Sequence, residues 1–173
     1  LPGVEIEIRD ARGVQVEPGA PGRIWVRGPM VMRGYADGPR LAPNDWLDTR
    51  DLGSLDEAGA VRVFGRADDT IVTGGENVHP LEVEAAMTQQ RGVREAAVFG
   101  LPDEVWGQVV AALLVLEAGV DPVTVCRDAA RDLAAFKRPR LVGVVDALPL
   151  SPNGKLDRRA LAARAAGRLV PAR

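Results

Sequence analysis

Near the head of the chain, Val4, Ile6 and Ile8 alternate with Glu5, Glu7 and Arg9, the period of two that marks a half-buried β-strand. Gly19 to Gly22 make a turn, and Arg23 to Arg27 (R-I-W-V-R) alternate again. Asp56-Glu57-Ala58-Gly59 reads as a hairpin turn into a strand over Ala60 to Phe64. Residues 1–65 are therefore expected to be β-rich. After Gly65 the pattern changes. Thr70 to Thr73 form a short strand that Gly74-Gly75 interrupt. Pro80 suits the first turn of a helix, and Leu81, Val83, Ala86 and Met87 give it an apolar face as far as Gln89. Val93 to Phe99 and Val109 to Leu116 are β-type runs, Pro122 to Phe136 is amphipathic and helical, Leu141 to Val145 is a strand, and Leu156 to Leu169 is an Ala/Arg-rich helix. The order β-hairpin, α, β, β, α, β, α predicts an α+β fold: a β-rich subdomain over 1–67, then a small α+β domain over 68–173 with a short sheet and packed helices. The boundary falls between Arg66 and Asp69.

The whole chain, 173 residues, suits one domain or two small ones. A net charge of -2 argues against a general nucleic-acid binder, which needs a basic surface. Cys126 is the only cysteine, so no intrachain disulfide forms, and a reducing, cytoplasmic setting fits. It sits in an apolar, helix-like stretch and reads as buried packing. The longest apolar run, Val109 to Leu116, falls far short of the ~20 residues of a membrane helix. No charged stretch followed by an apolar one opens the chain, so no signal peptide is expected. The chain opens on Leu1-Pro2-Gly3 without Met, as though cut from a longer polypeptide.

Four segments stand out: T-R-D-L-G (49–53), G-R-A-D-D-T-I-V-T-G-G-E-N-V-H-P-L-E-V-E (65–84), F-K-R-P-R (136–140) and P-L-S-P-N-G-K-L-D-R-R-A-L (149–161). Each has a plain structural reading beside a chemical one. Thr49 to Gly53 reads as a polar loop with a solvated or turn-capping Asp51; the carboxylate also suits a vicinal diol such as a ribose, through charged hydrogen bonds of about 1.5–3 kcal/mol each. Arg66, Asp68 and Asp69 read as an ordinary surface ion pair of roughly 0–1 kcal/mol. Gly74-Gly75 either end a strand or let the backbone approach a ligand closely. His79, the only histidine, has no metal-spaced partners and reads as structural. Phe136-Lys137-Arg138-Pro139-Arg140 is the basic end of a helix, or a ring and guanidinium groups suited to a nucleotide's base and phosphates. Asn153-Gly154 is a turn signal, so Lys155 is either a solvated turn lysine or a cation presented on a tight turn to neutralise two anions.

Together these segments resemble, in order and spacing, the acyl- and aryl-CoA ligases of the adenylate-forming superfamily, which also includes firefly luciferase and the adenylation domains of non-ribosomal peptide synthetases. The opening L-P-G-V-E-I-E-I-R-D and Gly28 to Tyr35 (G-P-M-V-M-R-G-Y) look like the family's β-rich subdomain. The resemblance implies that the chain corresponds to the last part of such an enzyme: an incomplete β-rich subdomain of the large domain, and the small mobile domain. It implies that Asp51 holds the ribose of ATP or AMP, that Arg66 contacts the same nucleotide, and that Asp68 is the hinge. Gly74 and Gly75 would line the pantetheine tunnel; Phe136, Arg138 and Arg140 would face coenzyme A; Lys155 would be the lysine of adenylation. The family's usual Gly before the ribose-binding Asp is here Arg50.

The same resemblance implies an AMP-forming acid–thiol ligase using ATP and coenzyme A. Mg would arrive with ATP and not on ligands of this chain. A carboxylate attacks the α-phosphate of ATP, and CoA thiolate then displaces AMP. The family's Ser/Thr/Gly-rich phosphate loop and its aromatic-Gly-x-Thr-Glu segment do not occur in this sequence. The chain alone is therefore expected to be inactive and to need the N-terminal part of the enzyme as partner, with a small carboxylic acid as substrate. The spacing P-x-x-x-x-G-K, Pro149 to Lys155, resembles the substrate motif of protein lysine acetyltransferases, which makes such an enzyme an expected partner at Lys155. Two other readings stand beside this one: an adenylation domain that loads a carrier protein, and a non-catalytic interaction or nucleotide-binding module.

Overall fold

A computed structural model describes residues 3–34, 38 and 40–172. Leu1, Pro2 and Tyr35, which belong to the segments quoted for the resemblance, lie outside the described residues. The fold is α+β, and its contacts divide it into two compact units, Leu1–Asp68 and Asp69–Arg173.

The first unit is an antiparallel meander of four strands in chain order: β1 (Glu5–Arg9), β2 (Gly22–Arg27), β3 (Leu47–Leu55) and β4 (Val61–Arg66). The alternation at the head of the chain is that of β1, whose Ile8 is buried against Ile24 of β2's register partner position. Arg9 and Arg27 lie over the Trp46 ring at 4.9 and 4.5 Å, so guanidinium groups cover much of what a larger core would bury. The expected turn joins β3 to β4: Gly59 has φ +82°, and the Asp56 side chain accepts the Ala60 N–H at 2.7 Å.

Thr49 to Gly53 is not a polar loop. It lies inside β3, and a bulge conceals it from a search for alternation. Leu52 pairs with Arg23 and Asp48 pairs with Trp25, so Thr49, Arg50 and Asp51 together face Ile24. Arg50, at the centre, has φ +61°, a left-handed conformation that costs an L-residue about 1–2 kcal/mol. Arg50→Gly is therefore expected to stabilise the unit by up to ~1 kcal/mol, the relief being partly offset by glycine's greater freedom when unfolded. A urea midpoint that fell on this substitution would show that Arg50's side chain contributes more than its backbone costs.

The second unit is built on β8 (Gly107–Leu116). One edge of β8 pairs with β7 (Val93–Asp103) as a long hairpin; the other pairs in parallel with β9 (Leu141–Val144) and, at Gly107, antiparallel with β5 (Ile71–Thr73). A parallel pair needs a crossover, and α2 (Pro122–Ala129) supplies it between β8 and β9. β6 (Glu76–Val78) extends the sheet beyond β5, and β10 (Val170–Pro171) closes the free edge of β9. Successive residues of β8 enter two cores. Val110, Ala112 and Leu114 pack with Val83 and Met87 of α1 (Pro80–Thr88) and with Val125, Cys126 and Ala129 of α2. Ala111, Leu113 and Val115 pack with Phe99 and with Leu161 and Ala165 of α3 (Leu161–Ala165). Among the described residues no helix is long and apolar enough to cross a membrane.

Two helices are shorter than the sequence pattern predicts. α2 starts as expected, with Pro122 in its first turn and Asp121 capping Thr124 N–H at 2.9 Å. It stops at Ala129, not Phe136. Bonds from Arg131 N–H to the Asp128 carbonyl and from Asp132 N–H to the Ala129 carbonyl tighten the exit, and Ala134 is extended. That break sends Leu133 into the core. The Leu156–Leu169 helix is likewise reduced to a 3-10 turn, Arg158–Ala160, and α3. Ala166 is extended and Gly167 has φ +72°, which turns the chain back to form β10.

Candidate functional site

In the first unit the β3–β4 register puts Asp51 opposite Arg66. Arg66 donates from Nη1 to the Asp51 carboxylate at 3.1 Å and to the Thr49 carbonyl at 3.0 Å. The Thr49 hydroxyl donates to the Ile24 carbonyl and accepts the Asp51 N–H, so the bulge itself aims the Asp51 side chain. Both partners are partly open to solvent, where such a pair contributes only about 0–1 kcal/mol. The pair is thus a poor device for stability, and it offers a carboxylate beside a guanidinium, the donor–acceptor set a ribose and a phosphate call for.

Asp68 is exposed within the 3-10 turn Ala67–Asp69, the last residue of the first unit. Past it, Gly74 and Gly75 form the two-residue turn between β5 and β6, with φ +59° and +84°, the sign pattern of a type I′ hairpin. They differ in their surroundings. A Cβ on Gly75 meets open space, whereas one on Gly74 would stand 2.7 Å from the Trp106 ring. Trp106 lies in the β7–β8 turn, where the Asp103 carboxylate accepts its N–H at 2.9 Å, and its carbonyl accepts the Gly74 N–H at 2.9 Å. The Arg140 guanidinium sits 4.2 Å from the centre of the same ring. Gly74, Trp106 and Arg140 therefore make one partly exposed surface. Trp106 was not among the sequence candidates; a large aromatic between Glu104 and Gly107, in a turn with no apolar periodicity to explain it, was the available signal.

The basic segment divides its residues. Phe136 belongs to the 3-10 turn Ala135–Lys137 and is exposed; Lys137 pairs with Glu82 of α1 at 2.6 Å. Arg138 donates to the Leu133 carbonyl at 3.0 Å and lines a hollow of about 590 Å³ together with Arg127, Arg131 and the apolar side of α2. Arg140 instead faces Trp106. Cys126 borders that hollow but is a packing residue: burial, then the charge of Asp121, pushes its thiol up to about 12. His79 occupies the N-cap position of α1, and burial holds its pKa below the ordinary histidine value. Among the described residues no three His, Cys, Asp or Glu side chains come together as a metal site.

Lys155 stands at the end of a tight turn. Ser151 N–H donates to the Lys155 carbonyl at 2.7 Å, Gly154 N–H donates to the Ser151 carbonyl at 2.9 Å, and Leu150 bridges to Leu156 across the base. Gly154 takes φ +74°, which Asn-Gly turns require. Lys155 is exposed and, among the described residues, no carboxylate pairs with its ammonium. Three residues on, Arg158 is the opposite case: its guanidinium is held by Glu84 and Asp69.

The AMP-binding enzyme C-terminal domain family matches residues 82–155, and the AMP-binding enzyme family matches residues 1–36. A long-chain-fatty-acid–CoA ligase of Yersinia pestis is 38% identical over 166 residues, covering 93% of this chain and 30% of that protein. A p-hydroxybenzoic acid–AMP ligase of Mycobacterium tuberculosis is 42% identical over 168 residues, covering 93% of this chain and 24% of that protein. The structure of o-succinylbenzoate CoA synthetase from Bacillus subtilis, in complex with its acyl-adenylate intermediate, superposes with a TM-score of 0.84 at 38% identity, covering 93% of this chain and 34% of that one. The chain belongs to the AMP-binding, adenylate-forming enzyme family. It spans about a third or less of the length of each of these relatives.

Proposed function

We propose that this chain is the C-terminal part of an ATP-dependent acid–CoA ligase, with residues 1–67 completing a large domain and 68–173 forming a small domain that moves. The observation that carries the reading is Lys155, exposed on a hydrogen-bonded turn and without a carboxylate partner among the described residues. Adenylation brings a carboxylate against the α-phosphate of ATP, two anions that repel. A cation free of protein carboxylates stabilises the transition state in which they meet. The Asp51 carboxylate, oriented by Arg66, accepts the ribose hydroxyls, and Arg66 lies close enough to share the nucleotide. ATP brings Mg with it, and no step here runs through that ion.

Thioester formation needs a different set of groups at the same acyl carbon. Rotation about Asp68 withdraws Lys155 and presents Gly74 and Gly75, whose bare backbone admits the pantetheine arm. The Trp106 face, with Arg140 over it, extends that surface toward the nucleotide end of CoA. Phe136 and Arg138 would serve that end also, Arg138 from the hollow beside α2. Acetylation of Lys155 by a protein lysine acetyltransferase would remove the charge and stop the first step.

A second reading keeps adenylation and changes the acceptor to a carrier protein. What favours it is the 42% identity to a relative named for its AMP ligase activity and not for CoA. The test is carboxylate-dependent ATP–pyrophosphate exchange by the full-length protein that carries this chain, followed by addition of free CoA. Exchange and an acyl-CoA thioester are expected. Exchange without a CoA thioester would favour the carrier protein, and no exchange with any acid of a broad panel would sink both.

A further inference from the structure

Arg158 makes four contacts with three partners that are far apart in sequence. Its two terminal nitrogens grip both oxygens of Glu84 on α1, at 2.7 and 3.0 Å. One of them also donates to the Val98 carbonyl of β7 at 3.0 Å. Its Nε pairs with Asp69 at 3.1 Å. Glu84 in turn accepts the Val98 N–H at 2.8 Å. Val98 faces Ala112 of β8, and among the described residues β7 pairs with no other strand. The ion pair therefore does for the outer edge of β7 what another strand would do, giving an acceptor to its N–H and a donor to its C=O.

Glu84 is almost fully buried and Arg158 largely so. A buried pair of charges is a weak source of stability even when its geometry is good. Its bidentate fork does fix position, because a planar guanidinium matches a carboxylate in one orientation. Arg158 begins the 3-10 turn that follows the Lys155 turn, and Asp157 N–H donates to the Pro149 carbonyl at 2.9 Å, so both ends of that turn are tied to the clamp. Asp69 directly follows Asp68.

We infer that Arg158 is a positioning residue, whose fork on Glu84, Val98 and Asp69 locks the Lys155 turn to the chain beside the hinge, so that rotation there carries the ammonium to a fixed place. This rests on the reading of Lys155 as the adenylation lysine. Gly74 and Gly75 are held by the β5–β6 pairing and by Trp106, not by Arg158. Loosening the clamp therefore blurs Lys155 and spares the thioester surface.

The experiment compares Arg158→Met, Arg158→Lys, Asp69→Ala and Lys155→Ala in the full-length protein, at a temperature where each is folded by circular dichroism. Pyrophosphate exchange and thioester formation from pre-made acyl-adenylate are measured separately. Arg158→Met is expected to lower the kcat of exchange by about tenfold to a hundredfold, the effect of misplacing a catalytic group by ~1 Å, with little change in KM for ATP. Thioester formation should stay within about threefold of wild type, because that surface does not depend on the clamp. Arg158→Lys, which keeps the charge without the fork, should not rescue exchange fully. Asp69→Ala leaves the buried Glu84–Arg158 pair intact and should lower exchange severalfold, which keeps the question open to decision if Arg158→Met does not fold. Equal loss in both half-reactions, or wild-type exchange in Asp69→Ala, overturns the clamp. If Lys155→Ala itself leaves exchange intact, the underlying reading fails instead.

Discussion

Lys155→Ala in the full-length protein is expected to slow carboxylate-dependent pyrophosphate exchange by about 10²–10³, the loss that follows removal of one preorganised charge-stabilising donor. Thioester formation from pre-made acyl-adenylate should remain near the wild-type rate. The asymmetry is the informative part. The ammonium carries no carboxylate partner among the described residues and packs against no core, so its removal leaves no orphaned charge and no cavity. A fall in both half-reactions by the same factor would mean that the substitution had disturbed the small unit as a whole. Lys155→Arg is a sharper probe: it retains the charge, but its planar, wider head on the same turn changes where that charge lies. Full activity in that variant would show that a positive field is enough and position is not.

What the sequence disclosed and what it concealed divide along a physical line. Strands with a clean alternation, β1 and β2, or a continuous apolar run, β8, were legible because the sequence pattern of each is unbroken. β3 was not, because its bulge places three residues opposite Ile24 and destroys the period where the candidate Asp51 sits. Helix starts were legible at Pro80 and Pro122, and so was the end of α1 at Gln89; the ends of the other two helices were not, since Ala130 to Phe136 and Ala166 to Leu169 keep a helical composition while Leu133 and β10 are drawn away by tertiary packing. The Gly74-Gly75 and Asn153-Gly154 turns could be read from residue type alone, because positive φ selects glycine. The surface shared by Gly74, Trp106 and Arg140 could not, for its members meet only when β5, β8 and the start of β9 are laid side by side. The Glu84–Arg158 pair was hidden for the same reason: each lies inside a quoted segment, but 74 residues separate them.

The largest loss of stability is expected from Leu114→Ala. Leu114 is fully buried in β8, flanked by Ala96 of β7 on one edge and Val144 of β9 on the other, and it packs into the core that α1 and α2 cover. Both edges of its backbone are engaged, so the strand cannot shift to fill the space a shortened side chain leaves. A cost of about 2–5 kcal/mol follows from the lost burial and the residual cavity. Against a typical domain stability of roughly 5–15 kcal/mol, that is enough to leave a large part of the second unit unfolded at modest urea. Val105→Ala is the comparison, in the same hairpin but 82% exposed in the β7–β8 turn, and it should stay within about 0.5 kcal/mol of wild type. Urea titration of this chain, followed by circular dichroism, separates the two. The reason for the contrast is the eight-residue apolar run itself: alternate residues from Val109 to Leu116 enter opposite cores, so neither face has solvent to retreat to. If the two substitutions moved the midpoint equally, β8 would not be the two-sided centre of the unit, and the helices on its two faces would have to be held by something else.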